Sequence, residues 1–505
     1  MTFRAGLCLI VFLGVAQAQD WLTWGGDQQR TGWAKSEKIL SKENVSNLEI
    51  KWKAQLDTVP KFEVLSTLTA PIVIEGVMTS QGTKDLVFVV GSDDTVYAID
   101  ADTGKTFWKK RFPNKLEPPD PATYLCPNTQ NATPVIDKRT GTLYLTTSDG
   151  KLRGLSVVNG EDRIPPTDFV TPFGRNWSLN LIDGVIYTPV ARGCGGSMSN
   201  FAAMDLRNPA RPQVHFYTSV GRPAGAWGRG GLILGPKGVY GQTADGAYDP
   251  AAGKFGNSVA AMSLVDLRLV DSFAPENMQF LNAKDLDLGS GSPVIFPFQK
   301  WTLLATSAKE AVLYLLDANS LGGATHRQPL SQTRWGNDEN EKWGRGLFGS
   351  LATWEDAQGQ RWVLYPMWGP PAKAAPKFEY SYGPADRGSV MAFRLTVENE
   401  KPTPVPVWMS GDMHVPDAPA VANGVVYVVA TGENTRQGGY FPPEVRAKPV
   451  SHAIFYALDA ATGKELYSSG DQIPSWSHFG GLAIAKGRVY FCTWDAKVYS
   501  FGLKN

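Results

Sequence analysis

Cysteine is scarce in this chain of 505 residues, with four in all, at positions 8, 126, 194 and 492. So few thiols exclude a disulfide-stapled scaffold, and the absence of C-x-x-C-H excludes a covalently attached c-type haem. Histidine numbers five, with no H-x-H, H-x-x-H or E-x-x-H pairing, which argues against a His-based metal centre. An excess of one charge is also missing: 49 Lys and Arg face 48 Asp and Glu, for a formal charge of +1. Nucleic acid and anionic membranes select a basic surplus, so no nucleic-acid partner is expected. Beyond residue 18 no long uncharged apolar run occurs, so no membrane span is expected either. No phosphate-cradling loop, nucleophile elbow or dinucleotide fingerprint stands in a fitting context. Helix signals are few, and only "SKENVSNL" (41–48), with Ser41 as its N-cap, reads as a short helical turn.

What is present begins with an export signal. "MTFR" carries one Arg, "AGLCLIVFLGV" is apolar, and Ala16-Gln17-Ala18 fits a cleavage site, so 1–18 reads as a signal peptide. The expected location is periplasmic or secreted, and Cys8 is lost with the leader.

The rest, 19–505, repeats itself. "LVFVVGSDDTVYAIDADTGKTFWKK" (86–110) is an apolar strand, a Gly-Ser-Asp-Asp turn, an alternating strand and an Asp-Thr-Gly turn. Degraded copies begin at Thr142, Val185, Gly238 and Thr302. Three more run through "WVLYPMWG…GSVMAFRL", "GVVYVVATGEN…AIFYALDAATGKELYSSG" and "RVYFCTWDAKVYSFGL". One small antiparallel sheet cannot bury both of its faces, whereas eight packed around an axis can. The expected fold is therefore all-β, an eight-bladed β-propeller forming a single domain over 19–505. The last unit lacks an outer strand and "LEIKWKAQL" (48–56) is a spare one, so these are expected to pair and close the ring. Polar insertions at 330–346, 367–386 and 433–451 should be loops on one face.

"AWGRGGLILGPKGVYGQTADG" (226–246) places a large flat ring, Trp227, at one end of a strand-turn unit and a carboxylate, Asp245, at the other. Two readings are open. Trp227 is blade core and Asp245 a turn residue, or both face a central site, one stacking on a planar ligand and one holding a cation. Cys126 and Cys194 likewise either bridge or stay as two buried thiols. His414 and His478 are expected to line the pocket mouth or to bond backbone groups. Arg229 and Arg345, in the two "WGRG" stretches, are either anion contacts or surface packing.

These motifs resemble the eight-bladed quinoprotein dehydrogenases that use pyrroloquinoline quinone, including the polyvinyl alcohol dehydrogenase branch. "VYAIDADTGKTFW" is equally similar to non-enzymatic propellers of the outer-membrane assembly lipoprotein type, whereas "WLTWGGDQQRTGWAKSEKILSKENVSNLEIKW" resembles the dehydrogenases in particular. The resemblance implies oxidation of a small-molecule or polymer alcohol with pyrroloquinoline quinone and Ca²⁺, and a separate electron acceptor. It implies that Trp227 stacks on the quinone and that Asp245, where the family has an Asn, ligates the metal. "KDLDLGSGSPVIF" puts Asp287 at the catalytic aspartate, also a metal ligand, with Asp285 two residues before it. "SAKEAVLYLLD" puts Lys309 where a basic residue bonds the quinone carbonyl. The family's vicinal cysteine pair appears as Cys126 followed by Pro127, the Arg expected after it is missing, and Cys194 stands where a metal-binding Glu is expected. The cofactor-binding set implied here is thus Trp227, Cys126 and Cys194. The alternative is a propeller that has lost the cofactor and serves as a scaffold for protein binding or envelope assembly.

Overall fold

In the first repeat the strands Ile72–Thr79, Gly82–Val90, Thr95–Asp100 and Thr106–Arg111 pair in sequence order, each antiparallel to the last. Thr95–Asp100 is buried at every position, while Thr106–Arg111 is partly exposed throughout. This gradient is the signature of a blade, with inner strands sandwiched between neighbours and the outermost facing water. The computed structural model describes residues 20–504 apart from 62, 64–65, 130–131, 192, 220–222, 339–344 and 435–441. The signal peptide expected at 1–18 lies outside the described residues.

Eight such sheets follow one another along the chain, so the fold is an all-β, eight-bladed propeller. The second to fourth blades start at Val135, Arg175 and Ile233; the fifth to eighth start at Val294, Ala352, Ala420 and Leu482. The eighth sheet runs Leu482–Ala485, Arg488–Thr493 and Lys497–Leu503, and its outermost strand is Leu48–Gln55, paired from Leu48 opposite Leu503 to Gln55 opposite Lys497. The segment 41–48 forms a single 3₁₀ turn, Val45–Asn47, and Asn44 rather than Ser41 supplies the local side-chain bond, accepting from Ser41 N at 2.8 Å. The 367–386 insertion carries a short strand, Tyr380–Ser381, and the 433–451 insertion a short helix, Pro443–Arg446.

Blades are joined by tryptophans docking onto the glycine-bearing turns of the next blade, at Gly104, Gly160 and Gly463. Trp52 Nε1 donates to Ala101 O at 2.8 Å, Trp108 Nε1 to Val157 O at 3.0 Å and Trp408 Nε1 to Ala460 O at 2.9 Å. Each ring lies flat on a glycine: a Cβ added at Gly104 would stand 2.6 Å from Trp52, and one at Gly463 2.5 Å from Trp408. Glycine is required there twice over, since Gly104 and Gly463 also hold φ of 71° and 74°.

The antiparallel order fixes where the site must be. In every blade the turn between the second and third strands and the link to the next blade open at the same end of the ring. Residues 20–40 close the channel beneath that end. Arg30, fully buried, donates to Gly230 O, Trp24 O and Leu179 O, and Trp24 Nε1 donates to Ser350 Oγ at 3.0 Å. Burial lowers the Arg30 guanidinium to about 9, against the weaker opposing pull of Asp27.

Candidate active site

Every residue singled out from the sequence sits in a connection at this one end. Cys126 lies in the link from the first blade to the second, and Cys194 in the central turn of the third. Trp227 lies in the link into the fourth blade and Asp245 in that blade's central turn. Asp285 and Asp287 occupy the link into the fifth blade, and Lys309 that blade's central turn. Asp285 ends the helix Met278–Lys284 in the left-handed region, at φ 52°, and Asp287 leads into the 3₁₀ turn Leu288–Ser290.

Three of the carboxylates converge, with one oxygen of each of Asp245, Asp285 and Asp287 within 4.8 Å of the other two. Lys309 Nζ, 5% exposed, donates to Asp287 Oδ2 at 2.7 Å, to Asp285 Oδ1 at 2.7 Å and to Asp285 O at 3.1 Å. Asp287 Oδ1 accepts from the backbone N–H of Asp245 at 3.1 Å. Two asparagines that sequence reasoning missed hold this arrangement together. Asn257 Nδ2 donates to Asn282 Oδ1 at 2.8 Å and to Asp245 Oδ1 at 3.3 Å, while Asn257 Oδ1 accepts from Leu288 N at 2.8 Å. Asn282 clamps Gly246 through both its N–H and its C=O. Neither asparagine left a mark in the sequence; Asn257 takes a left-handed φ of 42°, a conformation Asn tolerates.

Burial and mutual repulsion raise the proton affinity of two of these acids. Burial first, then the Asp287 charge, push the Asp245 carboxyl up to about 8. Asp285 is raised for the same two reasons, with Lys309 pulling the other way. Burial alone lowers Lys309, but the charges of Asp287 and Asp285 reverse this and leave it above the usual lysine value. Beside the cluster is a cavity of ≈ 480 Å³ lined by Trp227, Ala244, Asp245, Asn282, Asp285 and Asp287, among others. Lys309 Nζ stands 5.5 Å from the Trp227 ring centroid.

The inner wall of the funnel is aromatic. Trp177, Trp227, Phe348, Trp368 and Phe479 form one buried cluster with Ala191, Ala244 and Val415. Phe348 stacks on Trp368 at 4.5 Å and meets Trp227 at 6.3 Å and 53°. The indole N–H groups of Trp177 and Trp227 are buried with no hydrogen-bond partner. Cys126 and Cys194 are bridged, with Cα atoms 5.2 Å apart, and Cys492 is a buried free thiol. Arg175, also unforeseen, stacks on Trp177 at 4.8 Å and donates to Leu125 O at 2.9 Å, one residue before the bridge.

The far wall differs from the two sequence readings of its residues. Arg229 is interior rather than surface packing: it lies over the Phe479 ring and 3.8 Å from Asp417, both buried. His478 is buried, with Nδ1 2.8 Å from Glu433 Oε1 and both side chains 2% exposed. His414 lies against Arg387, which also pairs with Asp412.

Two groups implied by the fold can be tested against these residues. A hard cation asks for clustered oxygens, and the acidic triad supplies them. Cys194, at the position expected for a metal-binding Glu, is held in the bridge and contributes no ligand. A planar quinone asks for an aromatic face and for donors to its oxygens. Trp227 at the cavity wall, Lys309 above its ring and two unpartnered indole N–H groups in the funnel fit that donor set.

Comparison with known proteins agrees with the architecture. Residues 21–189 match the family model "Glucose/ethanol/alcohol dehydrogenase, beta-propeller domain". No curated protein matches the chain. Among solved structures, quinohemoprotein alcohol dehydrogenase from Comamonas testosteroni aligns with a TM-score of 0.60 at 13% identity, over 97% of this chain and 81% of that one. Quinohemoprotein alcohol dehydrogenase ADHIIG from Pseudomonas putida HK5 aligns with 0.60 at 14% identity, over 96% and 80%. A europium-containing methanol dehydrogenase aligns with 0.62 at 12% identity, over 96% and 98%. What these likenesses show is the fold: the chain is an eight-bladed β-propeller similar to those of the quinohemoprotein alcohol dehydrogenases.

Proposed function

We propose that this protein is an exported quinoprotein-like oxidoreductase, which oxidises an alcohol or other hydroxyl substrate with pyrroloquinoline quinone and Ca²⁺ and passes electrons to a separate acceptor. The carrying observation is the convergence of Trp227, Asp245, Asp285 and Asp287 on one cavity, with Lys309 among them. When bound, the quinone supplies a sink for the two electrons and two protons that an alcohol loses on becoming a carbonyl. Trp227 offers the face on which a planar ring is held. Asp245 and Asp287 supply carboxylate oxygens to a divalent cation, with Asp285 beside them. Asp287 accepts the hydroxyl proton at a carboxylate oxygen, its orientation fixed by the Asp245 N–H and by Lys309. Lys309 donates a hydrogen bond to oxygen where negative charge develops. The bridge between Cys126 and Cys194 suits an oxidising compartment, periplasmic or extracellular.

A second reading, a propeller scaffold without cofactor, draws on Cys194 being bridged at the expected Glu position. One titration separates the two. Purified protein receives Ca²⁺ and then the quinone, followed by absorbance, and is assayed with an artificial electron-accepting dye over a panel of small and polymeric alcohols. The enzyme reading requires saturable quinone binding and dye reduction that Asp287→Asn abolishes. Absence of binding by the wild type leaves the scaffold.

A further inference from the structure

The chain has no Arg just after Cys126, where the resemblance leads one to expect the partner of a ligand carboxylate. A guanidinium reaches the same neighbourhood from a different blade. Arg175 and Asn176 form a two-residue strand whose partners are Ala191 and Val190, so Arg175 sits at the inner end of the third blade, opposite an alanine of the funnel cluster. Its side chain is held on two sides. Nη1 donates to Leu125 O at 2.9 Å, and the guanidinium lies 4.8 Å over the Trp177 ring. Cys194 Sγ lies 3.4 Å from the same Leu125 O, so the bridge packs against the carbonyl that anchors the arginine. Arg175 is 4% exposed and Trp177 3%.

The second observation is independent of the charge. The Trp177 indole N–H is a buried donor without a partner, and Trp177 belongs to the same cluster as Trp227. A donor left unmet at such a depth carries a desolvation cost that an acceptor from a ligand would remove. A fixed guanidinium beside an unmet N–H is the donor set for a carboxylate.

We propose that Arg175 and Trp177 form an anion-recognition edge of the funnel, which binds a carboxylate of a planar aromatic ligand lying against Trp227. This rests on the quinoprotein reading for the identity of that ligand, and it assigns the missing cation to the third blade. Arg175 supplies charge, Trp177 supplies a neutral donor, and the Cys126–Cys194 bridge fixes the carbonyl that orients the arginine.

The test is equilibrium binding, read by tryptophan fluorescence quenching, with no turnover required. Probes are pyrroloquinoline quinone, its trimethyl ester, and pyridine-2,4-dicarboxylate. Wild type is expected to bind the free acid about 10- to 100-fold more tightly than the ester, the range of a charge-assisted bond. Arg175→Gln should erase that preference, Arg175→Lys should recover part of it, and Trp177→Phe should weaken the free acid while keeping the ring. The acid-against-ester comparison on unaltered protein needs no variant to fold, and thermal melts show which variants do. If wild type binds the quinone and Arg175→Gln binds it equally well, the edge is overturned and the quinoprotein reading stands. Binding of the dicarboxylate but not the quinone, lost in Arg175→Gln, keeps the edge and overturns that reading. Failure of wild type to bind either overturns both.

Discussion

The two walls of the funnel treat buried charge in opposite ways. On the wall formed by the fourth and fifth blades, three carboxylates cluster around one ammonium that pairs with Asp285 and Asp287, and the Asp245 carboxyl is pushed up to about 8 with Asp285 raised beside it. Toward the seventh and eighth blades buried polar groups come in pairs: Arg229, reaching across from the link into the fourth blade, stands 3.8 Å from Asp417, and His478 Nδ1 stands 2.8 Å from Glu433 Oε1. Asp417 also accepts from Ala418 N at 2.8 Å and Gly481 N at 2.9 Å, tying two inter-blade links together. A matched pair that caps backbone groups serves the fold. An unmatched cluster beside a cavity of ≈ 480 Å³ carries a cost that folding alone does not explain. The difference separates a binding wall from a structural one by physics rather than by resemblance.

Lys309→Met gives the largest expected effect. The substitution keeps most of the volume and removes the only described cation bonded to Asp285 and Asp287. Breaking such a buried pair costs about 3–5 kcal/mol, visible as a large drop in the melting temperature. The same variant should bind Ca²⁺ more tightly than wild type and recover stability in its presence, because a divalent ion replaces the lost charge. A variant as stable as wild type, or one indifferent to Ca²⁺, would remove the distinction between the walls.

Asp417→Asn sharpens the comparison from the other side. Arg229 loses its charged partner and one of two backbone donors loses its best acceptor, for a cost of about 1–3 kcal/mol. Calcium titration of this variant should match wild type. A changed affinity would mean that the two walls are one site.

The blades were legible in the sequence because "VYAIDADTGKTFW" combines period-2 alternation with a turn that requires glycine against a tryptophan ring, and both leave local marks. The candidate carboxylates were legible for the same reason, lying in the short connections that flank recognisable strands. Asn257 and Asn282 were not, since they act through bonds between the central turn of one blade and the link to the next. Arg229 was left open between anion contact and surface packing, because the latter is what an arginine in a Gly-rich loop usually does. Only the ring of Phe479, 250 residues later in the chain, makes an interior position tenable. The Glu433–His478 pair likewise joins two blades with no spacing to betray it.

The smallest expected effect is a pH dependence that belongs to the acidic wall. Asp245 has a pKa of about 8 in the folded protein against an ordinary 3.8, so between those values the folded chain holds a proton that the unfolded chain has released. The stabilisation is complete below pH 3.8, shrinks as the pH rises, and is gone above about 8. Protein without added metal should therefore melt at progressively lower temperature from pH 5 to pH 8. Asp94, raised to about 7 chiefly by burial in the turn of the first blade, adds a slope of the same sign. Asp245→Asn and Asp94→Asn, melted in parallel across that range, divide the slope between the two. Screening by the cavity water limits the Asp245 share to on the order of 1–2 kcal/mol. Saturating Ca²⁺ should abolish that share in wild type and leave the Asp94 share intact, because the cation competes with the proton at the fourth blade alone. A slope that survives Asp245→Asn unchanged would make the acidic wall as inert to protons as the paired one opposite.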